Sequence, residues 1–302
     1  MFLVVFLVPL LFVIIIKNSN FQFNDLLILL RTIVIVAAFV GIVGVIMALI
    51  NPTLRLGSLW ITAMTINGFY LMAFFISLGL IMHNKTQQSR LFYIFISIFI
   101  LLGMIFTYTR MSLLALGFGL FLLFIKIKKI RKYALYLVIF VPLIIPSSFH
   151  QRLSIGVMED PSIIIRFVAW YNSIDLIKNN FFFGIGFNTW SHIYKKMIPM
   201  TWLYAEHPHN IYIRYILELG VFGFTAFFYI IIKTVFEFLR VINKNDYLLF
   251  SLAISILVLL FACLTDVFIS RYPIAFIFWL ILAIMIRIIN DKKNFFLTTE
   301  RV

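Results

Sequence analysis

Apolar runs dominate the chain, and polar residues gather in short clusters between them. The runs lie at 1–16, 26–50, 58–82, 91–107, 111–125, 133–148, 210–232, 247–265 and 273–289. A helix crossing a bilayer needs ~20 mostly apolar residues, so these runs predict about nine crossings. The stretch 91–125 is one apolar run. As a single helix it would be ~52 Å long at ~1.5 Å per residue, against a hydrocarbon core of ~30 Å. It is expected to turn back at Thr107-Tyr108-Thr109-Arg110, which puts Arg110 at a membrane surface and not in lipid. The segment 149–209 interrupts the pattern. It mixes charge with apolar and aromatic residues and reads as one or two short helices lying on the membrane. Ser162 to Lys178 suits a helix with a mixed face, and Gly184-Ile185-Gly186 ends that pattern. The predicted fold is all-α: a polytopic transmembrane helix bundle forming a single integral membrane domain over 1–302, with 149–209 as one large extracytoplasmic helical loop.

Composition agrees. The chain is 64% hydrophobic and 12% charged, more apolar surface than a soluble domain of this length can hide. Met1 to Ile16 has no basic stretch before it and no small-residue cleavage signal, so a retained span is expected and not a signal peptide. The single cysteine, Cys263, excludes an intramolecular disulfide and a cysteine-based metal site. The net charge of +14 would suggest nucleic acid in a soluble protein. Here basic cytoplasmic loops explain it more simply, and no nucleic-acid partner is expected.

The densest basic cluster, Lys126, Lys128, Lys129, Arg131 and Lys132, is expected inside. Alternation then places Lys85 and Arg90 inside, with Lys233, Arg240 and Lys244, and the tail with Lys292, Lys293 and Arg301. The N-terminus falls outside. The outer side carries Lys178, Lys195 and Lys196 against Arg55, Arg110, Arg152, Arg166, Arg214 and Arg271. That shift towards arginine suits anion recognition, because a guanidinium offers a rigid fork that matches phosphate and carboxylate. Taken singly, each arginine is more simply explained by snorkelling at an interface than by function.

Four features gather on this outer side: Arg55, Arg110, Arg166 and His207-Pro208-His209-Asn210. Pro208 suits the first turn of the helix that follows. A histidine at the end of a span is a candidate general base, with an unperturbed pKa of ~6.5. The competing reading is a helix cap with interfacial packing. The spacing of His207 and His209 does not put both on one helical face, and no HExxH-type pattern is present, so no metal site is expected. Arg214 and Glu218 stand four apart and read as an internal ion pair. Asp266 and Arg271 suit a similar pair, or the orientation of a substrate.

In order along the chain, Thr109-Arg110-Met111-Ser112-Leu113-Leu114-Ala115-Leu116 comes first, then Arg166, Trp170 and Phe183-Gly184-Ile185-Gly186-Phe187. His207-Pro208-His209-Asn210 follows, with Tyr212, Glu218, Gly220 and Gly223. This ordered set resembles the O-antigen ligase and polymerase superfamily, membrane glycosyltransferases that handle polyprenyl-diphosphate-linked glycans. Arg55-Leu56-Gly57 is similar to a weaker upstream element of that family. The departures are Tyr108-Thr109 before the arginine and Met111 after it, and the span count suits a shortened member.

The resemblance implies inverting glycosyl transfer on the outer face, from an undecaprenyl-diphosphate-linked glycan donor to a lipid or glycan acceptor, among membrane lipids and without metal or cofactor. It implies that Arg110 and Arg166 stabilise the diphosphate and that His209 takes the acceptor proton. Arg55, His207, Asn210, Arg214, Glu218 and Asp266 are implied to bind substrate. Lipid A–core ligation and polymerisation of lipid-linked repeat units both fit. A flippase or transporter of lipid-linked sugars is the reading from another class. It predicts mid-membrane charges in several spans and inverted repeats, whereas the spans carry few mid-depth charges and no internal repeat is found.

Overall fold

The computed structural model describes residues 7–51, 62–127, 131, 159–198, 203–243 and 245–299. Among them there are ten α-helices, one 3₁₀ turn and no strand. The helices are α1 (Val8–Asn18), α2 (Phe23–Ile50), α3 (Ala63–His83), α4 (Gln87–Phe106) and α5 (Arg110–Lys126). They continue with α6 (Pro161–Asn179), α7 (Trp190–Met197), α8 (Ile211–Val241), α9 (Tyr247–Ala262) and α10 (Tyr272–Thr299). Phe268–Ser270 is the 3₁₀ turn between α9 and α10.

Among the described residues, five helices are long and apolar enough to cross a membrane: α2, α3, α4, α8 and the Tyr272–Lys292 part of α10. The apolar α9 is shorter, at 16 residues. The expected span at 133–148 lies outside the described residues. The expected span at 1–16 is described only from residue 7, where α1 is an 11-residue helix. The run 91–125 does fold back: α4 ends at Phe106, α5 begins at Arg110, and Tyr108 between them has φ +53.

Helix α3 is the hub. It packs against α9, α4, α2 and α5, and most of its length is buried. Close crossings come from small residues, as membrane bundles require when lipid gives helices no hydrophobic drive to associate. At the α2–α4 crossing, a Cβ on Gly103 would stand 2.8 Å from the Cα of Gly41. One buried polar contact joins α3 to α4, between the hydroxyls of Ser77 and Ser97 at 2.7 Å. The loop helices α6 and α7 carry a small core of their own, Ala169, Trp190, Tyr194, Ala205 and Leu217. Leu217 belongs to α8, so this core ties the loop to a long helix.

Candidate active site

A cavity of about 290 Å³ opens where α3, α5, α6 and the α9–α10 connection meet. The polar side of its lining has Arg110, Asp160, Arg166 and Asp266; Met64, Met111, Leu114 and Phe268 supply apolar walls. Helices α5 and α6 both begin here. Their N-terminal N–H groups and helix dipoles favour negative charge.

The turn before α5 is held from below. Asn67, fully buried on α3, donates from Nδ2 to the hydroxyls of Thr107 (2.6 Å) and Thr109 (2.9 Å). This fixes the turn that carries Arg110. Arg110 pairs with Asp160 at 3.1 Å, and their side chains keep 28% and 11% of their exposure. Asp160 is also the N-cap of α6, where Oδ1 accepts from the backbone N–H of Ser162. One turn further on, Arg166 donates to the carbonyls of Ser162 (2.6 Å) and Thr265 (3.2 Å). Burial pushes its pKa below the ordinary guanidinium value, and Arg110 adds to this, against the pull of Asp266 and Asp160. Arg166 still holds its charge at neutral pH.

The histidine element lies beside this cavity. Trp170 on α6 donates from Nε1 to the carbonyl of Pro208 at 2.6 Å. Pro208 precedes the N-cap, Asn210, by two residues, so it shapes the approach to α8 and is not in the first turn. Asn210 caps α8 through Oδ1 to the N–H groups of Tyr212 and Ile213. Its Nδ2 donates to the carbonyl of Leu264, past the end of α9. The N–H of Ile211 and the hydroxyl of Tyr212 go to the carbonyls of Cys263 and Leu260. The start of α8 thus satisfies carbonyls that the end of α9 leaves free.

His207 and His209 are neighbours after all, with ring centroids 4.3 Å apart, because they precede the helix and the helical-face argument does not apply. His209 Nδ1 stands 3.8 Å from Asp266, an ion-pair distance too long for a direct hydrogen bond. Burial alone would raise the Asp266 carboxyl; the two imidazoles and the N–H of Val267 outweigh it and hold the group at about 2. The expected Asp266–Arg271 pair is replaced: Arg271 Nη2 contacts His207 Nε2 at 2.7 Å. Arginine has only donors, so Nε2 accepts. Burial, His209 and Arg271 push His207 down to about 3, against the pull of Asp266. His207 is therefore neutral at working pH with its acceptor nitrogen occupied.

The ligand atoms of His207, His209 and Asp266 lie within 4.8 Å of one another, a spacing that suits a divalent cation. Two guanidiniums argue against one. Arg271 holds His207, and the charge of Arg166 acts on Asp266. The surroundings favour an anion.

Of the other expected residues, Arg55 lies outside the described residues. Arg214 and Glu218 form the expected pair at 3.2 Å, buried to 4% and 1% exposure. Arg214 also donates to Asn188 Oδ1 and faces the Phe187 ring. Neither lines the cavity. Among the described residues, the non-glycine positions with left-handed backbone are Tyr108, Asn188 and His209. One precedes Arg110, one holds Arg214 and the third is the candidate base, and such strain concentrates at functional sites. Sequence reading missed Asp160 as the partner of Arg110. Asp160-Pro161-Ser162 is an N-cap signal that would have placed it at the head of α6.

Residues 95–228 match the family model described as O-Antigen ligase. No curated protein matches the chain at a significant level. The matched stretch contains Arg110, Arg166, the His207–Asn210 element, Gly220 and Gly223. It supports the O-antigen ligase and polymerase superfamily, and with the long apolar helices it makes this a multi-pass membrane protein.

Proposed function

We propose that this chain, which carries a domain of the O-antigen ligase and polymerase superfamily, moves a glycan from undecaprenyl diphosphate to an acceptor hydroxyl on the extracytoplasmic face, as in ligation to lipid A–core. The observation that carries this reading is the cavity of Arg110 and Arg166 with apolar walls, flanked by the His209–Asp266 pair. A diphosphate joined to a lipid needs both surfaces.

The acceptor oxygen forms a bond to the anomeric carbon from the face opposite the diphosphate, and the carbon–oxygen bond to the diphosphate breaks. Undecaprenyl diphosphate leaves with the bonding pair. Arg110 and Arg166 bind its oxygens and stabilise their growing charge. His209 takes the hydroxyl proton, and the ionised Asp266 offsets the charge His209 gains. His207 is unsuited to that task, being neutral and held by Arg271. Asn210, Arg214 and Glu218 support the site from the framework of α8.

Complementation tests the reading. Wild type, His209→Ala, Arg110→Ala and Arg166→Ala are expressed in strains lacking an O-antigen ligase or polymerase, with abundance checked by blot and surface glycan read on a gel. Wild type is expected to restore glycan attachment in the ligase-deficient strain, and the variants to lose it at equal abundance. Rescue of chain length in the polymerase-deficient strain alone would change the acceptor to a lipid-linked repeat unit. Variants as active as wild type would overturn the site.

A further inference from the structure

Helix α8 is broken inside what the sequence reads as one apolar span. Gly220 has φ +66 and ψ −178, which no helix accommodates and which glycine alone adopts readily. Such a break frees backbone groups, and hydrocarbon has no water to satisfy them. Here a loop does so. The N–H groups of Ile185 and Gly186 donate to the carbonyls of Leu217 (2.9 Å) and Glu218 (3.1 Å), and the N–H of Val221 donates to the carbonyl of Phe181 (2.8 Å). The approach is backbone to backbone. A side chain on Gly184 would strike Glu218 and Gly220, and one on Gly220 would strike Phe182.

The tip of this loop is Phe181-Phe182-Phe183, exposed by 43%, 57% and 81%. Phe182 and Phe183 lie against Phe222 of α8, at centroid distances of 5.9 and 5.8 Å. Phe222, Tyr229 and Phe236 repeat every seven residues and so share one face of α8, and all three are exposed. The aromatic tip therefore continues the exposed apolar stripe of a long, membrane-crossing class of helix.

The length of α8 sets the depth. Beyond the break, the helical residues to Val241 alone run ~31 Å, enough for the ~30 Å hydrocarbon core. The basic residues towards its far end are Lys233 and Arg240. Whichever of them marks the far surface, the ~20 residues of a crossing reach back to between Ile213 and Gly220. The break thus falls at or inside the near edge of the hydrocarbon.

We propose that the Phe181–Phe183 turn is a lipid-contacting wedge, seated in the hydrocarbon edge of the bilayer beside the break in α8. Its partner is the bilayer itself. The wedge anchors the loop that carries Arg166 to the membrane, at the level where α8 hands over from its site-bearing half to its spanning half.

The test is spin-label accessibility of the full-length protein in liposomes of phosphatidylethanolamine and phosphatidylglycerol. Cys263, buried and the chain's single cysteine, is replaced by Ala. Labels are then placed at Phe182→Cys and Phe183→Cys, with Tyr229→Cys as the lipid reference and Lys196→Cys on α7 as the water reference. Collisions with oxygen are expected to exceed collisions with a water-soluble nickel chelate several-fold at 182 and 183, as at 229, and the order to reverse at 196. Nickel accessibility at both 182 and 183 equal to that at 196 would overturn the wedge. Lipid-like accessibility at 183 alone still supports it, since 183 is the more exposed position.

Discussion

Two arginine–carboxylate pairs in this molecule look alike in geometry and differ in surroundings. Arg110–Asp160 and Arg214–Glu218 have nearly the same separation, 3.1 and 3.2 Å. Arg110 keeps 28% of its side-chain exposure and lines a cavity; Arg214 keeps 4% and lines none. The first pair has room to exchange its carboxylate for an incoming anion, because Arg110 opens onto the cavity and keeps part of its exposure. The second has no access for an exchange partner, and removing either member would strand a buried charge, at ~3–5 kcal/mol. Burial separates the arginine proposed to bind from the one that braces, and residue type does not.

The largest effect is expected from removing the proposed base beside the Arg110–Asp160 pair. His209→Ala is expected to lower turnover by ~10²–10⁴-fold at normal abundance, the usual weight of a positioned general base. The measurement is single-turnover transfer with purified protein in detergent. On the braced side the loss should be of folded protein. Arg214→Ala is expected to destabilise by ~3–5 kcal/mol, and Arg214→Met with Glu218→Met to recover much of that, read as thermal unfolding midpoints. Gly220→Ala belongs to the same side. It forces a side chain into a glycine-only conformation and against Phe182, at a cost on the order of 3 kcal/mol.

The buried histidine adds a dependence on pH. His207 titrates near 6.5 when unfolded and at about 3 in the fold. Between those values the unfolded chain binds the extra proton, so stability falls as pH drops from 6.5 towards 3, by up to ~1.4 kcal/mol per unit. His207→Gln is expected to flatten this part of the stability–pH curve. The smallest effect is expected from Asp160→Asn. Asparagine caps α6 as well as aspartate does, so the substitution removes the competing charge and keeps the helix start. The KM for donor should fall by a few fold, with kcat unchanged.

Much of the framework was legible. The fold-back between α4 and α5 follows from length, since no bilayer is thick enough for one helix of that run. The Arg214–Glu218 pair follows from its i, i+4 spacing in an apolar context. What stayed hidden depends on contacts distant in sequence. Arg271 was expected on Asp266, five residues away, and instead reaches His207 because the α9–α10 connection folds over the start of α8. The break at Gly220 leaves no mark in an apolar run, since hydropathy does not report a backbone dihedral. Its partner loop is more than thirty residues upstream, from Phe181 to Gly186. The cluster of His207 and His209 was hidden for a simpler reason: helical spacing was applied to residues that lie before the helix.

The Arg110–Arg166 cavity is proposed to receive a lipid diphosphate. Binding of farnesyl diphosphate to the purified protein, titrated calorimetrically in detergent for wild type, Arg166→Ala and the braced Arg214→Met/Glu218→Met variant, tests it most directly. Wild type and the Arg214→Met/Glu218→Met variant should bind alike, and Arg166→Ala should bind at least about tenfold more weakly, the loss of a charge-assisted contact to phosphate. Equal binding by wild type and Arg166→Ala would contradict the account and place the diphosphate elsewhere.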